Sequence, residues 1–236
     1  MKYRAVVLGL CLAVSVPLLS CSGRAEAALT GSGGADITLD FALAPRTAAL
    51  IRSFSAVLGN GAEPVIDGPA VAESISRAPG VTRAVLLNQD AASLSGTITV
   101  ARLDQFLALP LDAASAPFIT WDGAGFLSIS LNRETAPTLL PLFSVEITEY
   151  LSALMAPCAS GEIISRRDYL ALVASVYGQP VAGEIAAATV RLVVTAPGPV
   201  TAIRGGRAEG RAARFEIPLL DMLVLDVPLE YHLRWN

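Results

Sequence analysis

RFEIPLLDMLVLDVPLEYHLRW, residues 214–235, ends in a clean period-two pattern. Leu229, Tyr231, Leu233 and Trp235 fall on one side of an extended chain, and Glu230, His232 and Arg234 on the other. Alternation of this kind is the signature of a strand with one buried face. The earlier part of the same segment reads as one further strand. Upstream, ATVRLVV (188–194) alternates Val190, Leu192 and Val194, and TAPGPV (195–200) breaks it. The last third of the chain is therefore expected to be β-rich.

The rest of the chain mixes the two periodicities. ADITLDFAL (35–43) sets Ile37, Leu39, Phe41 and Leu43 against Asp36 and Asp40, a half-buried strand. Pro45 then opens a helix in which Ala48, Ile51, Phe54 and Leu58 share a face, with Gly59 and Gly61 as stop signals. A short helix follows from Pro69 to Ala78. Residues 79–109 read as strand, turn near Asn88 to Ser93, strand, short helix. Taken with a strand near Phe118, the region 35–121 approaches a split β-α-β of the ferredoxin-like kind. FITWDGAGFLSISLN (118–132) is a hairpin turning at Asp122-Gly123. A helical region is expected over Pro141 to Met155, too polar to span a membrane because Glu146 and Glu149 interrupt it. A better-punctuated helix follows, with Ser165 as cap, Asp168 three residues on, and Gly178 and Pro180 closing it. These elements predict an α+β fold: mostly antiparallel sheet packed against several amphipathic helices, with a single globular domain over 35–236.

The N-terminus carries a different message. Lys2 and Arg4 precede an apolar run from Ala5 to Leu19, the layout of a secretory signal peptide and too short for a membrane span. Leu18-Leu19-Ser20-Cys21 follows. This resembles the lipobox of bacterial lipoproteins, with Leu at −3, a small residue at −1 and cysteine at +1; Leu19 is bulkier than is usual at −2. The resemblance implies a signal peptide over 1–20, cleavage before Cys21, and acylation of that cysteine. Acyl chains contribute about 0.8 kcal/mol per buried CH₂, and more than one chain makes the attachment stable. SGRAEAALTGSGG (22–34) is small and Gly/Ser-rich, so residues 21–34 are expected to be a lipidated cysteine on a flexible tether. Ser22, in place of Asp, after the cysteine implies outer-membrane sorting in diderm lipoproteins, with a periplasmic or surface face left open.

The charge balance argues against nucleic acid. Of 17 basic residues two lie in the leader, and against 21 acidic residues the remainder carries a net charge of −6. No basic run stands out. Cys11 leaves with the leader, so Cys158 is left alone beside the lipidated Cys21 and no intrachain disulfide is expected.

Catalytic signals are sparse. His232 is the one histidine, and no G-x-S-x-G turn is present to pair with it. One histidine and one free cysteine argue against a zinc site, and no cofactor is expected. TGSGGAD (30–36) precedes a strand and lacks the lysine of a phosphate-binding loop. Carboxylates could act without histidine, with Glu146 and Glu149, or Asp221 and Asp226, as the pairs to consider. RGGRAEGRAAR (204–214) gathers Arg204, Arg207, Arg211 and Arg214, either in a solvated hairpin loop or as a contact for an anion or lipid headgroup.

From Arg191 to Trp235 the chain also resembles the LppM-like bacterial lipoproteins: a strand, the Pro-Gly turn of TAPGPV, the polar insert 204–214, and closing strands that end near Trp235. That resemblance implies an α+β domain on a lipid anchor with an apolar cavity, and it transfers no ligand residue. The sequence thus predicts a non-enzymatic, membrane-anchored envelope protein that binds a lipid, another apolar ligand or an envelope protein. A structural role through protein contacts and a carboxylate-based glycan hydrolase are the alternatives.

Overall fold

The computed structural model describes residues 22–57, 64, 67–107, 119–136, 154 and 156–236. The leader over 1–20, Cys21, and nearly all of the helical region expected at 141–155 lie outside the described residues. In chain order the elements are β1 (Ser22–Leu29), β2 (Ala35–Ala42), α1 (Pro45–Val57), α2 (Gly68–Ser76), β3 (Val81–Asp90), β4 (Ser93–Val100), α3 (Leu103–Leu107), β5 (Ile119–Trp121) and β6 (Phe126–Leu131). They continue with α4 (Pro157–Ser160), α5 (Arg166–Tyr177), α6 (Gln179–Ala187), β7 (Thr189–Thr195), β8 (Val200–Arg204), β9 (Arg207–Glu209), β10 (Ala212–Pro218), α7 (Leu219–Val224) and β11 (Leu229–Trp235). The fold is α+β with a strand-rich C-terminal third, as the alternation predicts.

A seven-stranded sheet runs β3-β4-β2-β1-β7-β10-β9 and a four-stranded sheet runs β5-β6-β11-β8. Every pairing is antiparallel except β1 with β7. One face of the larger sheet packs on the smaller one. Leu29, Ile98, Val100, Val194 and Phe215 meet Leu127, Tyr231, Leu233 and Trp235 in a common core. Helix α2 covers the β3–β4 side of the same face through Ala72 against Leu86 and Leu94. A second core, built by Tyr169, Val173, Val181, Ile185, Leu223 and Val224, joins α5, α6 and α7 into a helical layer.

Residues 22–29, expected as a flexible tether, form a central strand of the larger sheet. Ser22 is paired with Ala42 on one side and Thr189 on the other. The small side chains that read as linker serve close packing: Gly23, Ala25, Ala27 and Leu29 alternate toward the core, and Gly23 and Leu29 are buried. A Cβ on Gly23 would already touch the side chains of Val190 and Phe41. Only Thr30–Gly34 behaves as a turn, closed by the Thr30 hydroxyl accepting the Gly34 N–H at 2.9 Å.

Two further expectations change. The order β2-α1-α2-β3-β4-α3 matches the reading of 35–109, but β5, just after Phe118, pairs with β6 in the smaller sheet, so among the described residues of 35–121 no ferredoxin-like unit closes. Between the two C-terminal strands, LLDMLV winds into α7, because Leu219, Leu220, Leu223 and Val224 lie at helical spacing toward the helical core. The punctuation of α5 holds: the Asp168 N–H donates to the Ser165 hydroxyl, which in turn donates to the Asp168 carboxylate at 2.7 Å.

Chain direction gives the fold two poles. The strand ends Ser22, Ala42, Thr189 and Pro218 lie together, and α1, α6 and α7 attach there. The opposite pole gathers the turns after Leu29, at Asp122–Gly125, at Ala196–Pro199 and at Gly210–Arg211.

Candidate functional site

The outward side of the four-stranded sheet follows from its register. With Tyr231, Leu233 and Trp235 turned into the core, His232 and Arg234 must project from the other face of β11. Arg234 lies opposite Phe126 of β6 and Ala202 of β8, and His232 lies opposite Ser128 and Arg204. An open groove of about 240 Å³ lies here, lined by Phe126, Ala202, Ile203, Arg204, His232 and Arg234, together with Leu233.

The groove combines an apolar floor with a cationic rim. The Arg234 guanidinium stands 5.6 Å from the centre of the Phe126 ring, a cation–π contact. His232 meets the same ring edge-on at 5.9 Å. Arg204 pairs with Glu230 at 2.9 Å and keeps its side chain 67% exposed. Ala202 leaves the depression between the two arginines because it offers only a methyl group. Guanidinium forks and a ring N–H beside an aromatic face suit an anionic group attached to an apolar body.

Of the four arginines read either as a solvated hairpin loop or as an anion contact, Arg204 lines this groove. Arg207 and Arg214 face each other across the β9–β10 pairing at the edge of the larger sheet, with Glu209 3.9 Å from Arg214. Arg211 donates to the Ala196 carbonyl at 2.9 Å and braces the turn pole. The hairpin spreads the charges over different faces. Phe126, Ala202 and Arg234 escaped sequence reasoning, since β11 shows only that its polar side faces away from the core, and its neighbours are set by register.

The two aspartates are held by an arginine. Asp221 and Asp226 both bond to Arg166, at 2.8 and 3.2 Å. Glu146 and Glu149 lie outside the described residues. Cys158 is buried in α4, and burial pushes its thiol up to about 11. Burial also raises Tyr169, whose hydroxyl donates to the Leu154 carbonyl at 3.2 Å. Among the described residues no group of three His, Cys, Asp or Glu side chains gathers to hold a metal ion. No helix among them is long and apolar enough to cross a membrane.

No protein-family model matches the chain, and no curated protein does. Among solved structures, the NMR structure of the folded domain of the Mycobacterium tuberculosis protein LppM aligns at 11% identity, over 92% of this chain and 91% of that one, with a TM-score of 0.41.

Proposed function

We propose that the protein is a lipid-anchored protein of the bacterial envelope with a non-catalytic binding role. It is acylated on Cys21, sorted to the outer membrane, and takes an anionic ligand with an apolar body in the groove of the four-stranded sheet. The Leu18-Leu19-Ser20-Cys21 motif supports the anchor. The observation that carries the binding role is the placement of Arg204, His232 and Arg234 around Phe126 and Ala202. An ion pair alone would leave such a rim to water, whereas an apolar floor adds about 25 cal/mol for each Å² it removes from solvent.

The test is titration of the mature chain with dodecyl phosphate below its micellar concentration, followed by amide NMR. Shifts confined to Phe126, Ala202–Arg204 and His232–Arg234, weakened about tenfold by Arg234→Ala, support the reading. Binding that is indifferent to both Arg204→Ala and Arg234→Ala overturns it.

A second reading rests on the outward side of edge strand β3, where Val85 and Leu87 are 37% and 60% exposed. An exposed apolar strand edge is a surface for strand addition by a protein partner. Capture of an envelope protein that is lost with Leu87→Lys but kept with Arg234→Ala favours that reading.

A further inference from the structure

We infer that the protein holds its helical pole against the bilayer, with the turn pole and the groove directed away from the anchoring leaflet. The inference rests on acylation of Cys21 as proposed above, and it goes beyond attachment to orientation.

The argument starts from covalent reach. Ser22 is already paired on both sides within the seven-stranded sheet. Cys21 is its chain neighbour, so the two Cα atoms are about 3.8 Å apart. A free linker of the length first expected would give a root-mean-square reach of about 20 Å and no preferred orientation. Here the slack is a single residue, and the anchored chains must enter the bilayer beside the Ser22 end of β1.

That end carries the helices. Strand β2 runs into α1, α6 runs into β7, and these two strands flank β1. Glu184 of α6 reaches across to the first turn of α1, accepting the N–H groups of Arg46 and Thr47 at 3.2 and 2.9 Å. Ser22 is paired with Ala42 and Thr189, the strand ends next to α1 and α6, so the N-terminal end of β1 lies on the side of this bridge. Around it Ala44 and Ala188 are buried against Leu43 and Leu219, while Arg46, Gly183, Ala186 and Ala187 face outward. The small side chains leave room for headgroups, and Arg46 is a positive charge that anionic headgroups attract.

The groove belongs to the other half. Strand β1 carries the chain about 23 Å from Ser22 to Leu29 at 3.3 Å per residue. Arg234 and Phe126 pair near the turn pole, where the Trp235 N–H donates to the Gly125 carbonyl at 2.9 Å. The groove's ligand therefore arrives from the aqueous side and is not a lipid of the leaflet that holds the anchor.

The test uses the full acylated protein in vesicles of phosphatidylethanolamine and phosphatidylglycerol. In a Cys158→Ala background, Ala187→Cys and Ser32→Cys are each nitroxide-labelled, and depth is read from relaxation by oxygen against a nickel chelate. The label at position 187 is expected at headgroup depth and the label at 32 in bulk water. Inserting thirteen Gly/Ser residues between Cys21 and Ser22 should free the 187 label while vesicle flotation persists. Equal depths at the two positions, or a 187 label unmoved by the insertion, overturn the orientation. Mass spectrometry of the same preparation separates the two readings. Acyl mass on Cys21 with the wrong depths sinks the orientation alone, and a Cys21 without acyl mass sinks both.

Discussion

The Glu184 carboxylate lies 2.9 Å from both the amide nitrogen and the hydroxyl of Thr47, 137 residues earlier in the chain. Both residues are buried, Thr47 fully. A negative charge at the start of α1 meets the unpaired N–H groups and the positive end of the helix dipole. Because α1 continues β2 and α6 precedes β7, this contact ties the helical layer across the end of β1. Replacing Glu184 by Ala leaves the buried amide and hydroxyl of Thr47, and the part-buried amide of Arg46, without this acceptor. The expected cost is about 3 kcal/mol in urea unfolding, with Glu184→Gln recovering part of it. A loss below about 0.5 kcal/mol would show that water replaces the carboxylate.

Gly96 of β4 leaves no room for a side chain. A Cβ there would sit 1.9 Å from the Val85 carbonyl oxygen and 2.9 Å from the Leu86 Cα, both backbone atoms of paired strand β3. Gly96→Ala must push the edge strand away and is expected to cost about 3 kcal/mol or more. Gly210, at φ 61°, has nothing within 4 Å, so Gly210→Ala should cost only the left-handed backbone term of about 1 kcal/mol. Urea midpoints of the two variants, compared side by side, check the contrast.

Much of the sheet is written in alternation, as ADITLDFAL and LEYHLRW show, because one buried face imposes a period of two. Strand β1 alternates as well, with Arg24 and Glu26 set against Gly23, Ala25 and Ala27, but a central strand pressed between close neighbours uses Gly and Ala, the same residues that make a linker. Composition reports residue size, and only the partners Ala42 and Thr189 reveal what the size is for. LLDMLV was hidden for a related reason: a short apolar run suits a buried strand and a helical turn equally. For the candidate site, the polar side of β11 was legible, while the meeting of Phe126, Ala202 and Arg234 comes from register between strands far apart in the chain. Arg204 to Arg214 form a cluster in sequence that the β8–β9–β10 turns disperse.

Asp122 shapes the turn between β5 and β6. One of its carboxylate oxygens accepts N–H groups from Ala124, Gly125 and Phe126 at 2.8, 3.0 and 2.9 Å. Those amides, led by Ala124 and Phe126, hold its carboxyl below the ordinary value of 3.8. A depressed folded pKa contributes stability above the unfolded value, and that stability fades as pH falls through the folded one. Asp122→Ala should therefore melt below the parent at pH 6, and the gap should close toward pH 2. A gap that stays constant with pH would show that the charge of Asp122 is irrelevant to the turn.

At the alkaline end Cys158 and Tyr169 act together. Burial raises the thiol from 9.0 to about 11 and raises the phenol as well. Above pH 9 the unfolded chain releases the thiol proton while the folded chain retains it. The folded state then binds more protons, and stability must fall with rising pH. The thiol's share, present in full below pH 9, is lost between pH 9 and 11 and amounts to about 2–3 kcal/mol at 1.36 kcal/mol per pH unit. Urea titrations of the mature protein at pH 8, 9.5 and 11 should show the decline, and Cys158→Ala should make it shallower while leaving the phenol's share. At pH 8 the same burial should keep Cys158 from maleimide until the protein is unfolded. Rapid labelling of the folded protein, or a Cys158→Ala slope equal to the parent's, would place the thiol in contact with water.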